Sequence, residues 1–248
     1  MTHPRRFAAV AALASSLALG IGLAPLVTAG AAPPPAPQLP QLPAARQAAG
    51  WLAGQFNAQG FIPTTPGSDQ PNLSATAQGI LGLAAADVDQ AVAGQAMSYL
   101  EANLASYATA DGADGPGQLA LLILDAEALG TNPRSLDGSD LVARLLATQQ
   151  SSGADTGLFG TATQLGTYLA GTYTQGLALA ALAGAGVHGT AQITGGVAWL
   201  AAQQCSDGGW ALPDQAINPC TGSPATFSGP DTNSTALAIE GLVAEGAL

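Results

Sequence analysis

Gly196, Val197, Ala198, Trp199, Leu200, Ala201, Ala202, Gln203, Gln204, Cys205, Ser206, Asp207, Gly208, Gly209, Trp210: this run decides how the rest of the chain is read. Alanine and leucine lead the helix-propensity scale, so residues 196–202 read as the last turns of a helix. The paired glutamines, Asp207 and the Gly208-Gly209 turn then close that helix and present an indole. Weaker copies recur upstream. A bulky residue followed by leucine occurs at Trp51-Leu52, Tyr99-Leu100, Leu145-Leu146 and Trp199-Leu200, at intervals of 48, 46 and 54 residues, so the chain repeats with a period of about fifty.

Each copy is followed by a loop rich in Gly, Asp, Ser and Thr, then by a second segment dense in Ala, Gly and Leu, over residues 74–86, 117–129, 172–185 and 233–244. Thr76-Ala77 matches Thr235-Ala236, and Gln78-Gly79-Ile80 matches Gln175-Gly176-Leu177. Both segments of each unit read as helices, because alternation of β-branched residues is nearly absent and Ser74, Thr172, Thr174 and Asn233 sit where N-caps belong. The expected fold is all-α: four helical hairpins over repeats 44–92, 93–138, 139–190 and 191–248. The second helices are almost uncharged all round and should be buried, whereas the first helices carry Arg46, Glu101, Asp140 and Arg144 and should form the outer layer. Gly79, Gly82, Gly176 and Gly241 each cost about 0.5 to 1 kcal/mol against alanine, tolerable where small residues let helix backbones approach.

A pattern of aromatic, aliphatic, three residues, Gln, a short spacer, Gly, any residue and aromatic is the QW repeat of terpenoid cyclases. The fourth repeat matches through Trp199, Leu200, Gln204, Gly208 and Trp210, with Gly195 in place of the basic residue. The third keeps Leu145, Leu146, Gln150, Gly157 and Phe159. The first keeps Trp51, Leu52, Gly60 and Phe61 but has Phe56 where the glutamine belongs, and the second keeps only Tyr99 and Leu100. Over residues 44–248 the chain thus resembles the terpenoid cyclase and protein prenyltransferase superfamily of α/α toroids. The resemblance implies a ring of helical hairpins with inner helices around a cavity. It also implies a structural role for Gln204 and Trp210, the amide bonding open backbone groups at a helix end and the ring packing on it. Rings of this kind close with about six hairpins, so four leave apolar ends to be covered by the Pro-rich segment, by a second copy in a homodimer, or by further chain.

The N-terminus reads as a signal peptide over residues 1–31: Arg5 and Arg6 precede an apolar run from Phe7 to Leu23, and Gly20, Gly22 and Pro25 break helix before Ala29-Gly30-Ala31. The rival reading is an uncleaved anchor. Residues 32–43 form a Pro-rich linker of polyproline type. Cleavage leaves Arg46, Arg134 and Arg144 against all 16 acids, a net charge of −13 with no lysine. Such a surface repels nucleic acid and anionic membrane and keeps the protein in solution. Cys205 and Cys220, exported to an oxidising compartment, read as a disulfide that contributes about 3 kcal/mol in the chain-entropy model. A metal or nucleophilic thiol is disfavoured, because His188 is the one histidine of the mature chain.

The resemblance also says which chemistry to look for. There is no Asp-x-Asp-Asp acid motif, no Asp-Asp-x-x-Asp diphosphate cluster and no histidine after Cys205 to complete a zinc set, and neither cysteine sits in a thioester context. Asp111, Asp114, Asp137 and Asp140 read as turn formers. Of eleven aromatic residues in the mature chain, the repeat slots consume six, too few remaining to line a cavity for carbocations. No catalytic residue, metal ligand or cofactor is assigned. The candidate ligand-binding residues lie in loops entering the second helices: Tyr168 and Tyr173 flank the third, and Phe227, Asp231 and Asn233 precede the fourth, where Asp231 and Asn233 also read as caps. The expected function is a secreted, non-catalytic domain that binds a small molecule or an extracellular protein. Extracellular toroids that carry cobalamin show the scaffold serving transport. The alternatives are an exported cyclase or prenyltransferase and a purely structural repeat.

Overall fold

The computed structural model describes residues 42–110, 112–161, 170–216, 218–223, 225 and 228–248. The signal peptide and nearly all of the linker therefore lie outside the described residues. The chain divides into two units, Met1–Ala45 and Arg46–Leu248, and the second carries the architecture that follows.

The described residues are mostly helical. The helices are α1 (Leu42–Ala53), α2 (Leu73–Ala86), α3 (Gln90–Ala102), α4 (Leu104–Ala108), α5 (Pro116–Leu129), α6 (Leu141–Ala147), α7 (Thr172–Gly184), α8 (Ala191–Ala202) and α9 (Thr232–Ala244). Two antiparallel ladders of two residues per strand accompany them, β1 (Thr109–Ala110) with β2 (Ala113–Asp114) and β3 (Trp210–Ala211) with β4 (Pro230–Asp231). All four Ala, Gly and Leu-rich segments are helices, α2, α5, α7 and α9. Their caps stand one or two residues earlier than Ser74, Thr172 and Asn233 suggest in three cases. Asn72 caps α2, its side chain accepting from the Ala75 amide, and Asp231 caps α9; Ser74 and Asn233 lie inside the first turns. At α7 the cap position is Gly171, whose amide donates to the Thr174 hydroxyl.

The second helices pack in chain order: α5 against α2, α7 against α5, and α9 against α7. Helix α3 lies on α2 and α5, α6 lies on α5, and α8 lies on α7. Burial follows this arrangement. Helix α5 buries Leu119, Ala120, Leu122, Ile123 and Ala126, and α7 buries Leu177, Ala178, Leu179, Ala181 and Leu182. The first helices bury one flank only, such as Ile193, Trp199 and Leu200 of α8. Helix α9 is the exception among the second helices. It covers Ser234, Ala238, Gly241 and Leu242 and leaves Ile239 and Val243 in water.

The closest helix contact explains two of the costly glycines. A Cβ on Gly241 would lie 2.5 Å from the Gly176 carbonyl oxygen, and one on Gly176 would collide with the Leu237 carbonyl. Helices α7 and α9 therefore touch backbone to backbone, and any larger residue at either position would drive them apart.

Candidate functional site

The loops that enter the second helices are held from both sides. In the fourth repeat the Gln204 Nε2 donates to the Gly208 carbonyl at 2.9 Å, and the buried Trp210 indole N–H donates to the Leu200 carbonyl near the end of α8 at 2.8 Å. The roles expected of the motif are thus reversed. The amide ties its own turn, while the indole adds a second donor to the Leu200 carbonyl, which also accepts from the Gln203 amide. In the third repeat Gln150 bonds the Gly160 carbonyl at 2.9 Å, and Gln149 reaches both the Gly157 and Gln192 carbonyls. The first repeat has no motif glutamine, and Gln95 of α3 supplies the missing amide by donating to the Ala58 carbonyl at 2.7 Å.

The other side of each joint is a side chain four residues beyond the helix cap. Thr76 accepts from the Ile62 amide at 2.9 Å, and Thr235 accepts from the Trp210 amide at 3.0 Å. Gln175 does more: its Oε1 accepts from the Phe159 amide at 2.8 Å and its Nε2 donates to the Gly157 and Gly196 carbonyls at 3.0 Å. Thr76 and Gln175 are therefore equivalents, and the match of Gln78 to Gln175 is out of register by two positions; Gln78 is exposed, Gln175 buried. In the second repeat this slot holds Leu119, which cannot accept a hydrogen bond. Arg144 of α6 takes over, with Nη2 on Asp114 Oδ1 at 2.6 Å, Nε on Asp114 Oδ2 at 2.9 Å and Nη2 on the Thr109 hydroxyl at 3.1 Å. The hydrogen bond from Arg144 holds the Asp114 carboxyl below its ordinary value, and Asp114 raises Arg144 in return.

A disulfide joins Cys205 to Cys220 with a Cα separation of 5.5 Å, as export of the pair suggested. The loop it spans carries the Ala211 and Pro213 carbonyls onto the start of α7. There they accept from the Thr172 hydroxyl at 2.8 Å and the Thr172 amide at 2.7 Å. The Thr172 amide, one of the open N–H groups at that helix start, is thus satisfied by this loop.

Of the five candidate binding residues, Tyr168 and Phe227 lie outside the described residues. Asp231 and Asn233 come together at the start of α9, where Asp231 Oδ1 accepts from the Asn233 amide at 3.0 Å and the Ser234 amide at 2.8 Å. Tyr173 is half-buried in the first turn of α7. Beside the Asp231 cap lies a shallow, open depression of about 410 Å³ lined by Pro230, Asp231, Thr232, Thr235, Ala236 and Ile239. Its walls are mainly apolar, and neither Tyr173 nor Asn233 lines it. Ile239 is 43 % exposed, and Val243, 41 % exposed, lies one turn further along α9. Sequence reasoning found Asp231 and missed Ile239, because an isoleucine in an Ala and Leu-rich helix reads as core until its neighbour on that flank proves absent.

Among the described residues no group of three His, Cys, Asp or Glu side chains is placed to hold a metal ion. His188 meets Glu245 at 3.2 Å, joining the turn after α7 to the end of α9. Among the described residues no helix is long and apolar enough to cross a membrane. One acid stands apart: Asp125 of α5 is wholly buried with neither oxygen hydrogen-bonded, and burial pushes its carboxyl well above the usual range. In comparison with known proteins the chain matches no family model and no curated protein, so the candidate site stands on the geometry just described.

Proposed function

We propose that residues 44–248 are a secreted, non-catalytic α/α-toroid domain that binds a small molecule or another extracellular protein, with residues 1–31 as export signal and 32–43 as tether. The observation that carries the binding reading is the apolar edge on α9, where Ile239 borders the depression beside Asp231 and Val243 extends it. Core-type side chains left in water at one place mark interaction surfaces. Support for the toroid reading comes from the order of packing. Helices α2, α5, α7 and α9 follow one another as neighbours, α3, α6 and α8 each rest on that row, and the QW glutamines and Trp210 tie the joints. Support for export comes from the Cys205–Cys220 bond, which persists in oxidising compartments.

The test is a thermal-shift panel on the exported chain that includes squalene, prenyl diphosphates and cobalamin. A ligand at 100 times its Kd adds about 2.7 kcal/mol, a rise of roughly 5 to 10 °C for a domain of this size. Ile239→Glu is expected to abolish the rise while leaving the ligand-free Tm within about 2 °C, since an exposed position contributes little to folding. A panel without any shift counts against the small-molecule reading and leaves the protein partner. Product formed from squalene or a prenyl diphosphate, with or without magnesium, would replace the proposal with the exported cyclase or prenyltransferase.

A further inference from the structure

Asp125 and the surface charge are independent features, and they point the same way. Asp125 sits in α5, between α2 and α7 in the packed row, fully buried, and no donor reaches either oxygen. An ionised carboxylate there would lack both water and a partner, so the folded chain keeps it as a neutral acid. The elements packed on α5 supply nothing to change this. Helix α2 has no ionisable residue; α3 carries Tyr99 and Glu101, α4 Tyr107, and α7 Tyr173. Arg144 of α6 is engaged with Asp114, and Glu127 of α5 itself is exposed. Loss of water is the sole influence acting on Asp125.

The surface behaves likewise. With three arginines against 16 acids beyond residue 31, the chain repels itself at neutral pH and sheds that repulsion only as its carboxylates take up protons in acid. We infer that this fold is built for acidic surroundings: a neutral Asp125 in the core and a surface that sheds its self-repulsion in acid place the stability maximum at about pH 4 to 5 rather than near neutrality.

The sign follows from linkage. Asp125 binds its proton more tightly folded than unfolded, so its contribution is fully favourable below the unfolded value near 3.8 and declines as pH rises, tenfold in the folding constant per pH unit, until the folded acid ionises. Asp114 opposes it. Its lowered value makes the Arg144 pairing stabilising above 3.8 and lost in stronger acid, which sets the lower edge of the window.

Urea unfolding of the exported chain and of Asp125→Asn, from pH 4 to 8, tests the inference. The ratio of wild-type to variant folding constants is expected to fall as pH rises above the unfolded carboxyl value, and wild-type stability to peak at pH 4 to 5. A pH-independent ratio, or a wild-type maximum at pH 7, overturns it. Carbon NMR of the Asp125 carboxyl in the wild type decides the matter if the variant does not fold. A resonance that titrates above the ordinary carboxylate range is expected, and one that titrates at or below the ordinary value overturns the inference.

Discussion

Gln175 gathers three backbone groups from two other segments: the Phe159 amide, the Gly157 carbonyl and the Gly196 carbonyl. Removing the side-chain amide leaves the buried Phe159 N–H unpaired at about 1 to 3 kcal/mol, whereas the Gly157 carbonyl keeps Gln149 and the Gly196 carbonyl keeps its place in the α8 ladder. Gln175→Leu is expected to destabilise the fold by about 1 to 3 kcal/mol in urea titration, whereas Gln78→Ala, at an exposed site in α2, changes it by less than about 0.5 kcal/mol. The sequence displays both glutamines before a glycine, and nothing in either triplet tells which one is buried. The cap four residues upstream does, and caps are difficult to place when Asn72, Ser74, Asp231 and Asn233 offer equivalent chemistry two residues apart. Arg144 gives a second prediction at this scale. Arg144→Met removes the pair with Asp114 and should cost about 1 to 3 kcal/mol at pH 7. Because the folded Asp114 titrates below the ordinary 3.8, that loss should stay constant above about pH 5 and shrink as pH falls below 4, read from parallel urea curves.

Among the elements, the second helices are the legible ones. Their composition leaves them almost no polar face, which matches the burial of α5 and α7 but not the open flank of α9, and the boundaries fall within a residue of the Ala, Gly and Leu-rich segments. The reason for each glycine is not legible, since a helix glycine serves close approach only if its partner also presents backbone. At the α7–α9 contact that condition holds for Gly176 and Gly241. Gly241→Ala would place a methyl 2.5 Å from the Gly176 carbonyl oxygen, and the two helices can relieve it only by separating along their shared length. The expected loss is about 2 to 4 kcal/mol by thermal or urea unfolding. Gly184, at the C-terminal end of α7, has no atom within 4 Å of a built Cβ. Gly184→Ala should therefore stabilise by about 0.4 to 1 kcal/mol through the unfolded chain, and the opposite signs distinguish packing from propensity.

For the whole molecule, charge and apolar edge compete. Ile239 and Val243 expose part of what α7 has covered on the other flank of α9, and Leu248 lies beyond them in the chain, 71 % exposed. One helix face buries only a few hundred Å² between two copies, well short of the 1,200 Å² or more of a stable interface. Against that small gain stands the mutual repulsion of two bodies that each carry a charge of −13 beyond residue 31. The exported chain is therefore expected to sediment as a monomer at pH 7 in low salt. Repulsion fades as the carboxylates take up protons in acid, so the same edge should then pair copies. Sedimentation velocity across pH 4 to 7 would register this as a rising weight-average mass. Ile239→Glu should keep the chain monomeric at about pH 5, where glutamate remains largely ionised and its burial in a dimer is costly. Equal association by the variant would move the contact away from α9, and a wild-type dimer at pH 7 would mean that an interface far larger than this edge is at work.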